Sequence, residues 1–311
     1  MGDLQGHCNR AGSRRGKLIE TDCGALKYLA LVCLLIGASP LVAADDDVDR
    51  IEFVVGNIVF VMLHELAHVV IEDFDIPVLG NSEDAADSLA AVALIRRDRE
   101  RPEKDFRFVR MLLTAADANR ILWQRGLEKD HPAAYLARHP LSAQRAARIA
   151  CLAYGSDPEL LEPLPEIVGL PAFRADWCDE EFADADKAWL WVKDSFIGES
   201  PGTASEHEFS YEPIRDARHE AVHEWLVENR VLEKTLEYVR QSLFLPDAIT
   251  VRARSCGSPD AYWDGNTREL VLCYQLVDAF YQLSAEQGVK DLEKKIRTFH
   301  RDIHEASDNE P

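Results

Sequence analysis

Between residues 50 and 73, apolar side chains recur at helical spacing: Ile51, Val54, Val55, Ile58, Val59 and Met62. Their neighbours are nearly all apolar too, so the pattern predicts a helix buried on most of its circumference. The run ends near Asp73 and Asp75, and Pro77 and Gly80 mark a short connection. A second helix is expected from Asn81 or Ser82, both good capping residues, to about Arg97. Its first turn carries Glu83 and Asp84, which suit the positive end of a helix dipole. Further helices are expected over 106–127, 142–154 and 180–197, the last with Trp189, Trp191 and Phe196. The Pro-rich stretch 161–171 reads as a loop, and 199–213 as a linker. A long charged helix should follow over 214–243. The β signal is confined to the C-terminal part. There 249–254 reads as a strand, and 261–263 and 269–273 flank the turn Asp264-Gly265-Asn266. Helices over 274–286 and 288–305 would close the chain. The expected class is mostly α with a small C-terminal β element, so any sheet beside helix 50–73 must come from the C-terminal end.

Composition changes the picture at the N-terminus. Lys17 and Lys27 precede the apolar run 28–36, and Val42-Ala43-Ala44 stands ahead of Asp45-Asp46-Asp47. This is the layout of a signal peptide cut after Ala44. The expected organisation is therefore a signal peptide over 1–44 and one domain over 45–311, periplasmic or secreted, with no membrane span once the signal is removed. Within that domain, 199–213 is linker-like and 245–286 forms a C-terminal disulfide and hairpin module. The net charge of −20, from 35 Lys and Arg against 55 Asp and Glu, repels phosphate backbones, so nucleic acid is not an expected partner. Export also changes how the cysteines read. Cys8, Cys23 and Cys33 fall in the segment that is lost, and Cys151, Cys178, Cys256 and Cys273 remain. An even number in an oxidising compartment predicts two disulfides. Of three possible pairings, Cys151–Cys178 and Cys256–Cys273 each stay within one local unit.

The chemistry lies in His64-Glu65-Leu66-Ala67-His68 on the first helix. Two histidines four residues apart share a helix face, the geometry for two imidazole nitrogens on one zinc ion. Glu65 stands beside them, placed to act as general base on water. A catalytic zinc site has three protein ligands and one open position. The next helix offers Glu83 and Asp87, again four apart: one to bind the ion, the other to accept a ligand histidine's free N–H. One Zn2+ per chain is expected. A second His219-Glu220-Ala221-Val222-His223 occurs on the charged stretch 214–243, where no acidic helix follows; it reads as an exposed amphipathic face.

HExxH followed by a Glu-x-x-x-Asp helix resembles the thermolysin-like, glutamate-ligand zincins. That resemblance implies a zincin-like fold, Glu83 as third metal ligand and Asp87 as the group that orients a ligand histidine. Only 14 residues separate His68 from Glu83, a shorter spacing than in thermolysin, which keeps Asp84 and Asp87 in play as ligand or supporting carboxylate. The chain also resembles a bacterial metallopeptidase family. The matching motifs are His64–His68, Pro77 to Asp87, Cys151-Leu152-Ala153-Tyr154-Gly155, Cys256-Gly257 and Leu272-Cys273-Tyr274-Gln275-Leu276. The implied activity is zinc-dependent peptide-bond hydrolysis with Glu65 as base, acting on a peptide or protein substrate. Zincins also supply a Tyr or His to the developing oxyanion, and Tyr274 is the candidate. Two other functions use the same residues: hydrolysis of a non-peptide envelope amide or ester, and non-catalytic extracytoplasmic zinc binding.

Overall fold

The computed structural model describes residues 40–101, 106–126, 132–196, 206–242 and 245–286. The segment expected to be a signal peptide falls outside these residues except for 40–44, and the helix expected over 288–305 lies wholly outside them. Helix α1 (Pro40–Asp73) is the axis of the fold. By length and composition its stretch Asp49–Asp73 is able to cross a membrane, but most of it is buried inside the protein, as a core helix is. It serves two cores at once. Phe53, Ile58, Met62, Leu66 and Val69 pack with the sheet and the C-terminal helices. Phe60 points into a second core made with α2 (Ser82–Glu100), α3 (Arg107–Gln124), α4 (Ser142–Ser156) and α7 (Cys178–Phe196). An apolar surround on nearly every side of α1 is therefore demanded by two sets of neighbours.

α1 ends in a Schellman motif. Ile76 N–H donates to the Ile71 carbonyl and Asp75 N–H to that of Glu72, with Asp75 left-handed at φ 48°. The chain turns and restarts at Asn81, whose side chain accepts from Glu83 N–H at 3.1 Å and caps α2. The expected loop over 161–171 contains a short helix, α5 (Leu164–Val168), and α6 (Ala172–Ala175) follows it. Cys151 of α4 is bonded to Cys178 of α7, and Cys256 to Cys273. One turn beyond Cys151, a Cβ on Gly155 would run into the backbone carbonyl of Cys178. Backbone cannot rotate aside, so the Cys151-to-Gly155 motif is a helix-crossing requirement. Gly155→Ala is expected to cost about 1–3 kcal/mol, read as a lower midpoint in urea unfolding. A change below about 0.5 kcal/mol, the usual surface range, would show that the helices part freely.

The four-stranded sheet has the order β1-β2-β4-β3. β2 (Thr250–Arg254) runs parallel to β1 (Glu208–Tyr211) and to β4 (Glu269–Cys273), and β3 (Ala261–Asp264) is the antiparallel edge. β4 is buried from Leu270 to Cys273, as a strand covered on both faces should be. Two expectations are corrected here. The stretch 199–213 is not purely a linker, because β1 lies in it; its four residues gain their order from pairing with β2, which no local pattern encodes. The single helix expected over 214–243 is broken into a 3-10 turn (Ala217–His219), α8 (Glu220–Glu228) and α9 (Val231–Ser242). Arg230, at φ 53°, makes the second break. Helix α10 (Tyr274–Leu283) packs back on the first core.

Candidate metal centre

His64 and His68 sit one turn apart on α1, and the α1–α2 turn brings Glu83 to them. Their three ligand atoms converge. His64 Nε2 lies 3.2 Å from His68 Nε2 and 3.2 Å from Glu83 Oε2, and His68 Nε2 lies 3.4 Å from the same oxygen. Ligand bonds of about 2.0–2.1 Å in a tetrahedron put neighbouring ligand atoms roughly 3.3–3.4 Å apart. The triangle thus has the size of one face of a zinc coordination shell. The proton inventory agrees. With Nδ1 donating to Asp87 Oδ1 at 2.8 Å, the neutral His64 ring carries its lone pair on Nε2. That lone pair faces a second imidazole nitrogen and a carboxylate oxygen. A single cation satisfies all three atoms at once, and the donor set suits a divalent ion.

The supporting contacts come from several elements. Asp87 is fully buried and gripped by Arg145 of α4, Nε to Oδ2 at 2.8 Å and Nη2 to Oδ1 at 2.6 Å. Burial raises the Asp87 carboxyl, but His64 and Arg145 outweigh it and hold the group at about 2. Arg145, Asp87 and His64 form a relay across α4, α2 and α1 that orients the His64 ring. Glu83 is also held at both oxygens: Arg138 Nε stands 2.8 Å from Oε1 and His139 Nδ1 3.0 Å from Oε2. Burial alone would raise the Glu83 carboxyl. Hydrogen bonds from His139, His64 and His68 hold it far below the ordinary carboxylate range. Burial likewise lowers His64, yet its bonds to Asp87 and Glu83 win and push the metal-free imidazole up to about 9.

Glu65 stands apart from the triangle, with Oε1 4.0 Å from His64 Nε2. Its Oε2 accepts the Trp263 backbone N–H of edge strand β3 at 2.9 Å. The hairpin that supplies this donor is locked onto α1 at two further points. Trp263 Nε1–H donates to Glu72 Oε2 at 2.5 Å, and Arg268 grips Asp73 at 2.7 and 2.8 Å. Burial pushes the Glu65 carboxyl up, against the opposing pull of His64, His68 and the Trp263 N–H. One oxygen is anchored and the other is left toward the cluster.

Not every expected residue arrives. Asp84 turns away from the cluster to pair with Arg148. Tyr274 is corrected outright: it is fully buried, and its hydroxyl donates toward the Glu212 and Ala253 carbonyls, 2.6 and 3.1 Å away. Core packing beneath the sheet claims it, and its ring lies against His223, 5.6 Å between centroids. The second HExxH straddles a 3-10 turn and the start of α8, so His219 and His223 do not share a regular helix face. Among the described residues, His64, His68 and Glu83 are the group found close enough to share an ion. Arg138, His139 and Arg145 carry no signal in the sequence, since each reaches the site from more than 50 residues beyond Glu83 or Asp87 and no spacing announces it.

The sequence profile of the family described as "putative metallopeptidase" matches residues 38–192 and 211–306. No curated protein and no solved structure was found to match the chain.

Proposed function

The chain belongs to the putative metallopeptidase family, and from that premise we propose that it is a zinc-dependent peptidase with a zincin-like site. His64, His68 and Glu83 are its metal ligands and Glu65 its general base. The observation that carries this reading is the triangle of three lone-pair atoms at tetrahedral spacing, with a half-anchored carboxylate beside it. Two imidazoles and one carboxylate form a common catalytic zinc set. Held by His64, His68 and Glu83, a zinc ion would supply Lewis acidity, lowering the pKa of a water to about 7 and polarising an amide carbonyl. The remaining steps belong to the chain. Glu65 Oε1 accepts the proton of the attacking water while Trp263 N–H keeps Oε2 in place. Glu65 then passes that proton to the departing amide nitrogen. Arg138 occupies Glu83 Oε1, so that Glu83 offers its other oxygen alone. Asp87, backed by Arg145, fixes the tautomer of His64. His139, exposed to solvent with its Nδ1 on Glu83 Oε2, becomes the candidate in place of Tyr274 for a donor toward the developing oxyanion. Two disulfides suit an oxidising compartment, in keeping with export and cleavage after Ala44.

The test is metal analysis of the purified protein, then incubation with a mixed peptide pool read by mass spectrometry. We expect about one zinc per chain, cleavage that a chelator stops, and recovery on adding zinc. Bound zinc with no peptide cut, but release of fragments from cell-wall material, would move the substrate to a non-peptide amide. Absence of zinc would remove the mechanism.

A further inference from the structure

A cavity of about 510 Å³ opens beside Glu83. Its wall is built from the segment 134–141, the start of α2, one face of α4 and Arg174 of α6. Two of its lining residues, Arg138 and His139, are the ones that hold the Glu83 carboxylate. The cavity therefore begins one side chain away from a candidate metal ligand. An extended peptide advances about 3.3–3.4 Å per residue, so a residue one or two places from the bond being cut reaches into it.

The lining is basic in a strongly acidic chain. It carries Arg138, Arg148 and Arg174 against one carboxylate, Asp84, while the chain has a net charge of −20. These guanidiniums retain donor capacity. A guanidinium has five N–H groups, and Arg148 spends one on Asp84. Arg174 pairs with Glu181 from outside the wall. Arg138 is largely exposed even with its bonds to Glu83 and Ser82. Planar guanidiniums match carboxylates in two-point bonds. Beside them Tyr135, which lines the cavity, and its neighbour Leu136 expose apolar side chains to solvent, a surface for the rest of a bound peptide.

We propose that this cavity is a substrate subsite for a peptide carboxylate, bound by Arg138 and Arg148 beside the metal centre. It rests on the peptidase reading and narrows it to substrates acidic near the cleaved bond. The carboxylate comes either from an Asp or Glu side chain or from a free C-terminus, and the chemistry of the pocket serves both.

The test uses the zinc-loaded Glu65→Gln chain as a non-cleaving trap and three fluorescein-labelled peptide pools read by anisotropy. One pool fixes a Glu and has an amidated C-terminus. A second has Gln there and a free C-terminal carboxylate, and a third has Gln and an amidated end. One or both carboxylate pools are expected to bind about tenfold tighter than the third, the scale of a charged hydrogen bond. Arg148→Gln should bring that preference below about twofold at unchanged zinc content. Asp84→Asn, which removes the one lining carboxylate, should increase it. Equal or absent binding of the three pools overturns the proposal, as does a preference that ignores both substitutions. Failure of the peptidase reading looks different: wild-type protein would bind the acidic pool selectively and cut none of the three.

Discussion

A Glu65→Gln chain is expected to keep its zinc and its fold while turnover falls by about 10²- to 10⁴-fold. The carboxamide has the same shape, and its oxygen can still accept the Trp263 N–H that Glu65 Oε2 now takes at 2.9 Å. Its nitrogen has no lone pair to offer an attacking water, so the proton relay stops. Metal affinity should hardly move, because Glu65 lies outside the ligand triangle. Stability should hold or rise slightly above neutral pH. Burial makes the ionised Glu65 carboxyl unfavourable, as its raised pKa records, and a neutral amide avoids that cost. Three measurements decide: turnover on any cleaved peptide, zinc per chain and melting temperature. Cleavage at the wild-type rate would remove Glu65 from the mechanism. Loss of zinc would make it a ligand instead.

What the sequence reveals of this fold follows how local each signal is. The buried helix 50–73, the Asn81 cap and the turn at Asp264-Gly265-Asn266 are written within a few residues, and the structure has each near its expected place. β1 is different. Glu208-Phe209-Ser210-Tyr211 is short, stands on an edge, and is ordered by parallel pairing with a strand some 40 residues later. The break at Asn229 and Arg230 is only faintly marked: Asn229 can end a helix, but Arg230, left-handed at φ 53°, carries no local sign of it.

The site divides the same way. His64, Glu65 and His68 are legible because one helix turn fixes their spacing, and Glu83 and Asp87 because a short connection returns the next helix to them. Arg138, His139, Arg145 and the Trp263 N–H come from distant segments, and one of these groups is backbone, which carries no sequence mark at all. Tyr274 shows the converse error. Its place in the Leu-Cys-Tyr motif reflects a residue that supports the sheet, with its hydroxyl spent on two carbonyls. The motif signals packing there, whereas Glu65 keeps an oxygen free of such bonds.

The metal-free chain should lose stability as pH rises, and zinc should abolish that loss. His64 in the folded, metal-free chain is pushed from an ordinary 6.5 up to about 9 by Asp87 and Glu83, against the opposing effect of burial. A raised folded pKa means that the proton binds the native state more tightly. Its contribution is complete below pH 6.5, fades between 6.5 and about 9, and is gone above. Each tenfold gain in proton affinity is worth roughly 1.4 kcal/mol, so about 3 kcal/mol is at stake. Zinc replaces that proton on Nε2. The loaded chain has nothing to lose over the same window, and zinc binds more firmly as proton competition ends. The gap in melting temperature between loaded and chelated protein should therefore widen from pH 6.5 to 9, by roughly 5–10 °C. On the acid side the lowered pKa values of Asp87 and Glu83 act with the opposite sign, removing stability as pH falls through the carboxylate range. Calorimetry at pH 6, 7.5 and 9, with and without a chelator, reads both limbs, and His64→Gln should flatten the alkaline one. A melting temperature of the metal-free chain that stays level from pH 6 to 9 would mean that His64 is not held between Asp87 and Glu83 as a cation, and that no proton stands in for the metal on Nε2.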